Sequence, residues 1–301
     1  MLVAAAIHLP LIRSVRIFAM NATAALIPPS SLSPTLQSGA RATLVRVFGD
    51  LMYRLDEPVP TAAFVKLLED VGFGTHSARQ AVARCARIGW ITSVKHGRTA
   101  WWSLTDMGKE FVIDGLQRVS ALGSETSSWD GQWMILVISV PHERRVIRQR
   151  LYRALTWAGF GSPMPGVWVS VHLDRARRVS AAVERLKLHD TTLSFTGSAH
   201  AIGLSEQEMV ARAWNLDALG DTYRRLVEQY SRRASRPLVD VEAVRALLDV
   251  DAELMTLLSL DPQLPAQLAP AWDGRRGAAK LLEYRAEWSK PSIKYWSALC
   301  K

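Results

Sequence analysis

Between Val71 and Leu104 the chain carries Arg79, Arg84, Arg87, Lys95 and Arg98, and no carboxylate at all. The stretch divides in two. THSARQAVARCARIGW, Thr75 to Trp90, sets Ala78, Val82, Cys85 and Ile88 at helical spacing, so these form the buried stripe, and Arg79, Gln80, Ala83, Arg84 and Arg87 fall on the other sides. Thr75 or Ser77 supplies an N-cap hydroxyl. ITSVKHGRTAWWSL then reads as two strands, Ile91 to Val94 and Thr99 to Leu104, joined by a tight turn over Lys95-His96-Gly97-Arg98.

Two more helices precede this pair. Leu44, Val45, Phe48, Leu51, Met52 and Leu55 repeat at helical spacing, and Phe64, Leu67, Leu68 and Val71 do so after a start at Pro60-Thr61. Three helices and a two-stranded hairpin make a winged helix-turn-helix. The major groove of B-DNA admits one helix between closely spaced phosphates, which matches this surface in size and charge. Residues near the start of the second motif helix reach base edges in such docking, here Ser77, Arg79 and Gln80. Lys95, His96 and Arg98 on the hairpin are placed for phosphate or minor-groove contacts. A charge run is ordinarily a solvated helix face; the cationic hairpin beside it and the missing acids argue against that here.

Thr105-Asp106 caps a further helix through Val119, and GSETSS, residues 123–128, reads as a linker. The apolar run Trp133 to Val140 reads as a strand covered on both faces or lying mid-sheet. A basic helix follows, with Val146, Ile147, Leu151 and Leu155 inward and Arg144, Arg145, Arg148 and Arg153 outward. A strand Val167 to Val171, a helix (Val179, Val183, Leu186) and a strand Thr191 to Thr196 complete a ferredoxin-like α/β layer, provided a fourth strand lies near Phe160 to Met164. From Glu206 only helical patterns recur: one long helix through Met209 and Tyr230, another from Val241 to Leu258, and a last one from Ala278 to Trp296. The expected class is a multidomain α+β chain: an extension over residues 1–38, a winged helix with its linker helix over 39–122, a ferredoxin-like unit over 129–200 and an all-α unit over 204–301, each burying its own core.

The 301 residues carry a formal charge of +9, which points to a polyanionic partner or an anionic ligand. Two cysteines, Cys85 and Cys300, are too few for a disulfide scaffold or a thiolate zinc site and fit a reducing cytosol. The apolar first 38 residues are interrupted by Pro10, Arg13 and Arg16 before a membrane-spanning length is reached, and Met20 is an alternative start. No catalytic constellation emerges: GRRGAAK lacks phosphate-loop spacing, His142-Glu143 has no second histidine four residues on, and no nucleophile elbow occurs. No metal or other cofactor is expected. A metal-dependent nuclease on the central layer is the alternative reading, but its first strand ends in Ile138-Ser139-Val140-Pro141 without the carboxylate a hard cation needs.

The stretch VGFGTHSARQAVARCARIGWITSVKHGRTAWWSLTDMGKEF resembles the PaaX-type transcriptional regulators, repressors of phenylacetic acid catabolism. The resemblance continues through WDGQW, VPHERR, LTWAGFGSPMPGVWVSVH, MVARAWNLDAL and DPQLPAQLAPAWDGRR, and covers the chain from about Ser38. It implies a cytoplasmic, dimeric, non-enzymatic repressor that binds a palindromic DNA operator of an aromatic-compound operon and is released by an aryl-CoA thioester such as phenylacetyl-CoA. The family's DNA-contacting role carries over onto Ser77, Arg79, Gln80, Arg84, Lys95 and Arg98. Trp129, Trp133, Trp157 and Trp168 read as core of the central unit. The sharper expectation is that Trp168, with Arg144, Arg145 and Arg148, lines the effector pocket, since arginines beside indoles suit an acyl-CoA.

Overall fold

The structure, a computed structural model, describes residues 39–124, 129–199 and 202–301. The expectations for residues 1–38 and for most of the linker, 125–128, lie outside the described residues. Helix α1 (Ala40–Val47) runs through a π-helical turn, Phe48–Met52, into a last helical turn, Tyr53–Leu55. Leu44, Val47, Phe48, Leu51 and Met52 are buried along it. Within the π turn Asp50 is also buried, an inward carboxylate that a regular 3.6-residue period does not foretell.

A short strand β1 (Val59–Pro60) precedes α2 (Thr61–Asp70), α3 (Thr75–Ile88) and the strands β2 (Ile91–His96) and β3 (Thr99–Leu104). The sequence reading lacks β1, because prolines at 58 and 60 look like a break; at the sheet edge a proline costs no ladder bond. Val59 sits opposite Trp102, giving the antiparallel order β1-β3-β2. Trp102 Nε1 donates to Thr61 Oγ1 at 2.8 Å, and that hydroxyl donates to Ala100 O at 3.1 Å, so the hairpin is tied to the first turn of α2. Helix α4 (Asp106–Ala121) starts at Thr105, whose hydroxyl accepts from the Gly108 N–H at 3.0 Å, the expected cap.

The central region alternates β4 (Trp133–Ile138), α5 (Arg145–Trp157), β5 (Gly161–Met164), β6 (Val167–Ser170), α6 (Ala176–Arg185) and β7 (Thr192–Gly197). The sheet order is β5-β6-β4-β7, with every neighbouring pair antiparallel. Alternation along β4 sends Met134, Leu136 and Ile138 into a core with Leu151 and Leu155 of α5 and Val179 and Val183 of α6. Trp133 and Ile135 face the other way, against Val169, Val210 and the loop residues Leu264 and Leu268. Val146 on α5 is 60% exposed, contrary to the expected inward position; Ile147, Leu151 and Leu155 carry that face.

Helices α7 (Glu206–Ala213), α8 (Leu216–Arg233), α9 (Asp240–Leu260) and α10 (Gly274–Leu299) follow. The single helix expected across Met209 and Tyr230 breaks at Trp214-Asn215. Asn215 Oδ1 accepts from the Ala218 N–H at 3.0 Å and caps α8, while Trp214 leaves helical geometry and stacks on Trp133, ring centroids 6.5 Å apart. Trp133 thereby ties the central sheet to the C-terminal helices.

The first and last regions do not bury separate cores, as the sequence reading had it. Phe64 of α2 lies between Phe48 and Trp296, with centroids 6.0 and 5.4 Å away, and one continuous apolar core runs from Leu44 through Leu247 and Leu281 to Trp296. An N-terminal helical region this small gains from a larger neighbour because a short chain buries too little surface by itself.

Candidate nucleic-acid interface

The α2–α3 connection is held from behind. Asp70, the last residue of α2, accepts from Lys66 and from the Tyr295 hydroxyl of α10, and its carbonyl accepts from Arg245 Nε of α9 at 3.0 Å. Thr75 donates its hydroxyl to Glu69. Gly74, not Thr75 or Ser77, is the N-cap of α3, so Ser77 lies within the first turn and is exposed. Ala78, Ala81, Val82 and Cys85 form the buried stripe. Ile88 is 43% exposed rather than core, since the helix ends there and Gly89, at φ 88°, turns the chain away.

The opposite face of α3 presents Ser77, Arg79, Gln80, Arg84 and Arg87 to solvent, together with His76, which the sequence reading did not single out. The Gln80 amide meets His76 Nε2 at 2.8 Å, and Arg84 Nη2 donates to Gln80 Oε1 at 3.5 Å. This i, i+4 ladder aligns three polar side chains along the exposed face; the spacing 76-80-84 was the available signal.

On the hairpin, Lys95 stands opposite Ala100 and His96 opposite Thr99, so both belong to β2 and the turn proper is Gly97-Arg98. This corrects the four-residue turn expected from the sequence. Gly97 has φ 61°, the left-handed conformation that two-residue hairpin turns require. From Thr92 to Thr99 every residue is exposed, and the His96 ring rests edge-on to Trp101 at 6.2 Å. Lys95, His96 and Arg98 therefore sit on the exposed tip of the hairpin that follows α3.

Among the described residues, none of Arg79, Arg84, Arg87, Lys95 and Arg98 lies within salt-bridge distance of a carboxylate; Arg144, Arg145, Arg148, Arg150 and Arg153 around α5 are likewise unpaired, whereas Arg224, Arg233, Arg236 and Lys280 are each paired. Exposed cations left uncompensated on one face are those a polyphosphate can engage without first displacing a protein partner.

The residues expected at an effector pocket are less convergent. Arg144 precedes α5, Arg145 opens it and is exposed, and Arg148 Nη1 lies 3.3 Å from His142 Nδ1. Trp168 of β6 is buried in the central core against Tyr152, centroids 4.9 Å apart, and offers no open wall. The four tryptophans read as one core cluster are dispersed: Trp129 packs edge-on to Trp133 at 5.3 Å, Trp168 lies in the other layer, and Trp157 is 37% exposed under the Arg118 guanidinium at 4.1 Å.

Among the described residues no group of three or more His, Cys, Asp or Glu is placed to hold a metal ion, and no helix is long and apolar enough to cross a membrane. What the geometry defines is a mixed α+β chain whose helical N- and C-terminal regions flank a small central sheet, with an unpaired cationic helix and hairpin at one end.

Three family models match in succession: a PaaX-like protein over residues 39–108, the PaaX protein central Cas2-like domain over 126–210, and the PaaX-like protein C-terminal domain over 214–298. The chain belongs to the PaaX family. It is 26% identical over 243 residues to the transcriptional repressor PaaX of Escherichia coli (strain K12), covering 76% of this chain and 73% of that protein. The solved structure of uncharacterized protein Rv0674 from Mycobacterium tuberculosis shares its fold, with a TM-score of 0.59 at 21% identity over 87% of this chain and 98% of that one.

Proposed function

We propose that this protein is a sequence-specific, DNA-binding transcriptional repressor with no catalytic activity. The observation that carries the reading is the set of five uncompensated cations shared by α3 and the β2–β3 finger. In it, residues 39–122 form a winged helix-turn-helix, α3 enters the major groove, Arg79 and Gln80 grip base edges with Ser77 and Arg84 alongside, and Lys95, His96 and Arg98 hold phosphates or reach the minor groove. The βαββαβ order and antiparallel arrangement between Trp133 and Gly197 support a ferredoxin-like unit, and residues 204–301 form the all-α part.

The E. coli relative is named as a transcriptional repressor; the finer parts of the reading follow the resemblance to the PaaX-type regulators. Two copies bind a palindromic operator in the cytoplasm, upstream of genes for aromatic-compound, phenylacetate-like catabolism, and an aryl-CoA thioester releases them by favouring the arrangement that does not fit DNA. Gel shifts with the DNA upstream of the gene test it. The wild type forms a retarded complex that phenylacetyl-CoA dissolves, and R79A/R84A forms none at the same concentration; retention of the full complex by R79A/R84A contradicts the reading.

A further inference from the structure

Helix α4 leads out of the N-terminal region and is held at both sides of its last turns. At its end, Gly123 has φ +76°, and a Cβ there would lie 2.6 Å from the Ala279 nitrogen of α10, so chain and helix touch backbone to backbone. On its outer face α4 meets the central unit through two ties. Arg118 lies over the Trp157 ring at 4.1 Å and donates to the Trp157 carbonyl at 3.3 Å, and Arg178 of α6 donates to Asp114.

Arg175 lies beside these ties. Its Nη1 donates to Ala158 O at 3.3 Å, its Nη2 donates to Gln263, and Gly159 leaves room for it, since a Cβ there would sit 2.7 Å from Nη1. Among the described residues the buried Nε2 of Gln263 has no hydrogen-bond partner. Three guanidiniums, that of Arg118 on α4 and those of Arg175 and Arg178 at the start of α6, thus meet at one joint. Among the described residues, Asp114 is the one carboxylate bonded to any of them; Asp174 and the buried Asp261 act on Arg175 through space. Burial and the repulsion of Arg178 and Arg175 push Arg118 down to about 10, the penalty of gathering like charges where water is scarce.

We infer that Arg118, Arg175 and Arg178, with the half-exposed indole of Trp157, form a binding site for the phosphate groups of an organic phosphate that carries a planar ring. Guanidinium groups take phosphate oxygens two at a time, and an indole face stacks a purine-like ring. The ligand's phosphates replace Asp114 on Arg178 and draw Arg118 off Trp157, which undoes both ties between α4 and the central unit. A difference in affinity for the tied and untied joint is then what shifts α4 against the central unit. A cleft of 570 Å³ on another side of α4, lined by Tyr53, Arg54, Ile113 and Leu116, lacks this convergence, because its Lys109 is closed on Asp56 at 2.9 Å. The regulatory half deepens the repressor reading, since an acyl-CoA carries such phosphates and an adenine; the site itself stands on the joint alone.

Isothermal titration of the full chain tests it, with coenzyme A as the ring-bearing probe and inorganic pyrophosphate as the phosphate probe. Both bind the wild type. R118Q/R178Q weakens both at least tenfold, W157L weakens coenzyme A several-fold more than pyrophosphate, and R144Q/R148Q binds as the wild type does. D114N frees Arg178 and tightens both probes several-fold, which a merely structural tie does not do, and it keeps the test open should the double variant fold poorly. Absence of binding to the wild type, unchanged affinity in R118Q/R178Q with no tightening in D114N, or a loss confined to R144Q/R148Q overturns the site. None of these outcomes touches operator binding, which is measured separately by gel shift.

Discussion

Arg285 of α10 donates through its Nε to Asp251 of α9 at 2.5 Å, and both side chains are almost wholly buried. The other arm of the guanidinium, Nη2, reaches Asp50 in the π turn of the first helix. One arginine therefore fastens two C-terminal helices to the N-terminal region at the centre of their shared core. Burial pushes the Asp251 carboxyl up while Arg285 and Arg46 pull it down, and the balance leaves it above its usual value. Among the described residues Asp50 Oδ2 has no hydrogen-bond partner, so this carboxylate depends heavily on Arg285.

Removing one member of a buried ionic group strands the rest. R285M is expected to cost about 3–5 kcal/mol of unfolding free energy in urea titrations, because two desolvated carboxylates lose their counter-charge. Adding D50N and D251N to R285M recovers part of that loss. Wild-type stability in R285M contradicts the assignment.

His172 makes the joint between the central sheet and the Asp261–Pro265 loop sensitive to acid. Its Nε2 meets Pro262 O at 2.7 Å, so Nε2 carries a proton and donates it to that carbonyl. Burial, then the charge of Arg175, lowers its pKa to about 4. The unfolded chain therefore takes up the proton first. The stability His172 contributes is complete above its ordinary pKa near 6.5 and is lost as pH falls toward 4, by at most about 3 kcal/mol. H172Q keeps a donor for Pro262 without a titrating ring, so the stability gap between wild type and H172Q shifts against the wild type between pH 7 and pH 4. A constant gap refutes the prediction.

Two glycines of α4 separate packing from helix propensity. A Cβ on Gly108 would lie 2.0 Å from the Trp90 carbonyl oxygen, backbone that cannot swing aside, whereas a Cβ on Gly115 meets nothing within 4 Å. G115A is expected to raise stability by about 0.5–1 kcal/mol through helix propensity. G108A is expected to lower it by about 1–3 kcal/mol by pushing α4 off the base of the hairpin. Thermal melts of both variants check this, and a stabilising G108A would contradict the described packing.

What the sequence disclosed and what it hid have a common cause. Periodicity located α2, α3 and the hairpin because each shows one apolar face to one neighbour: Phe64, Leu67 and Leu68 on α2, Ala78, Val82 and Cys85 on α3. The exposed positions of Arg79, Gln80, Arg84, Lys95 and Arg98 followed from those buried ones. Side-chain patterns could not show that Asp50 turns inward, since a π turn shifts the phase of the helix, or that Asn215 stops a stripe running unbroken from Met209 to Tyr230. Nor does local pattern report partners distant in the chain. The bonds from Asp70 to Tyr295, from Arg118 to Trp157 and from Asp50 to Arg285 each join different regions, and they decide how the cationic end is mounted.

Helix and finger are expected to contribute differently to DNA recognition. R79A costs about 1–3 kcal/mol on the operator and relaxes preference at the base pair it reads, while K95A weakens operator and unrelated duplex alike and reduces the salt slope by about 1. Binding to a panel of single-base operator variants separates the two. Equal, sequence-independent losses in both variants would deny α3 its reading role.

The central claim is that α3 and the finger supply the grip on duplex DNA. Its most direct test is the affinity of the full chain for duplex over a KCl series, for the wild type and for a variant with Arg79, Arg84, Arg87, Lys95 and Arg98 all changed to Gln. The wild type should show a steep linear fall of log affinity with log salt, and the variant a much shallower slope with affinity largely gone. An unchanged slope and affinity in the five-fold variant would place the DNA on another surface.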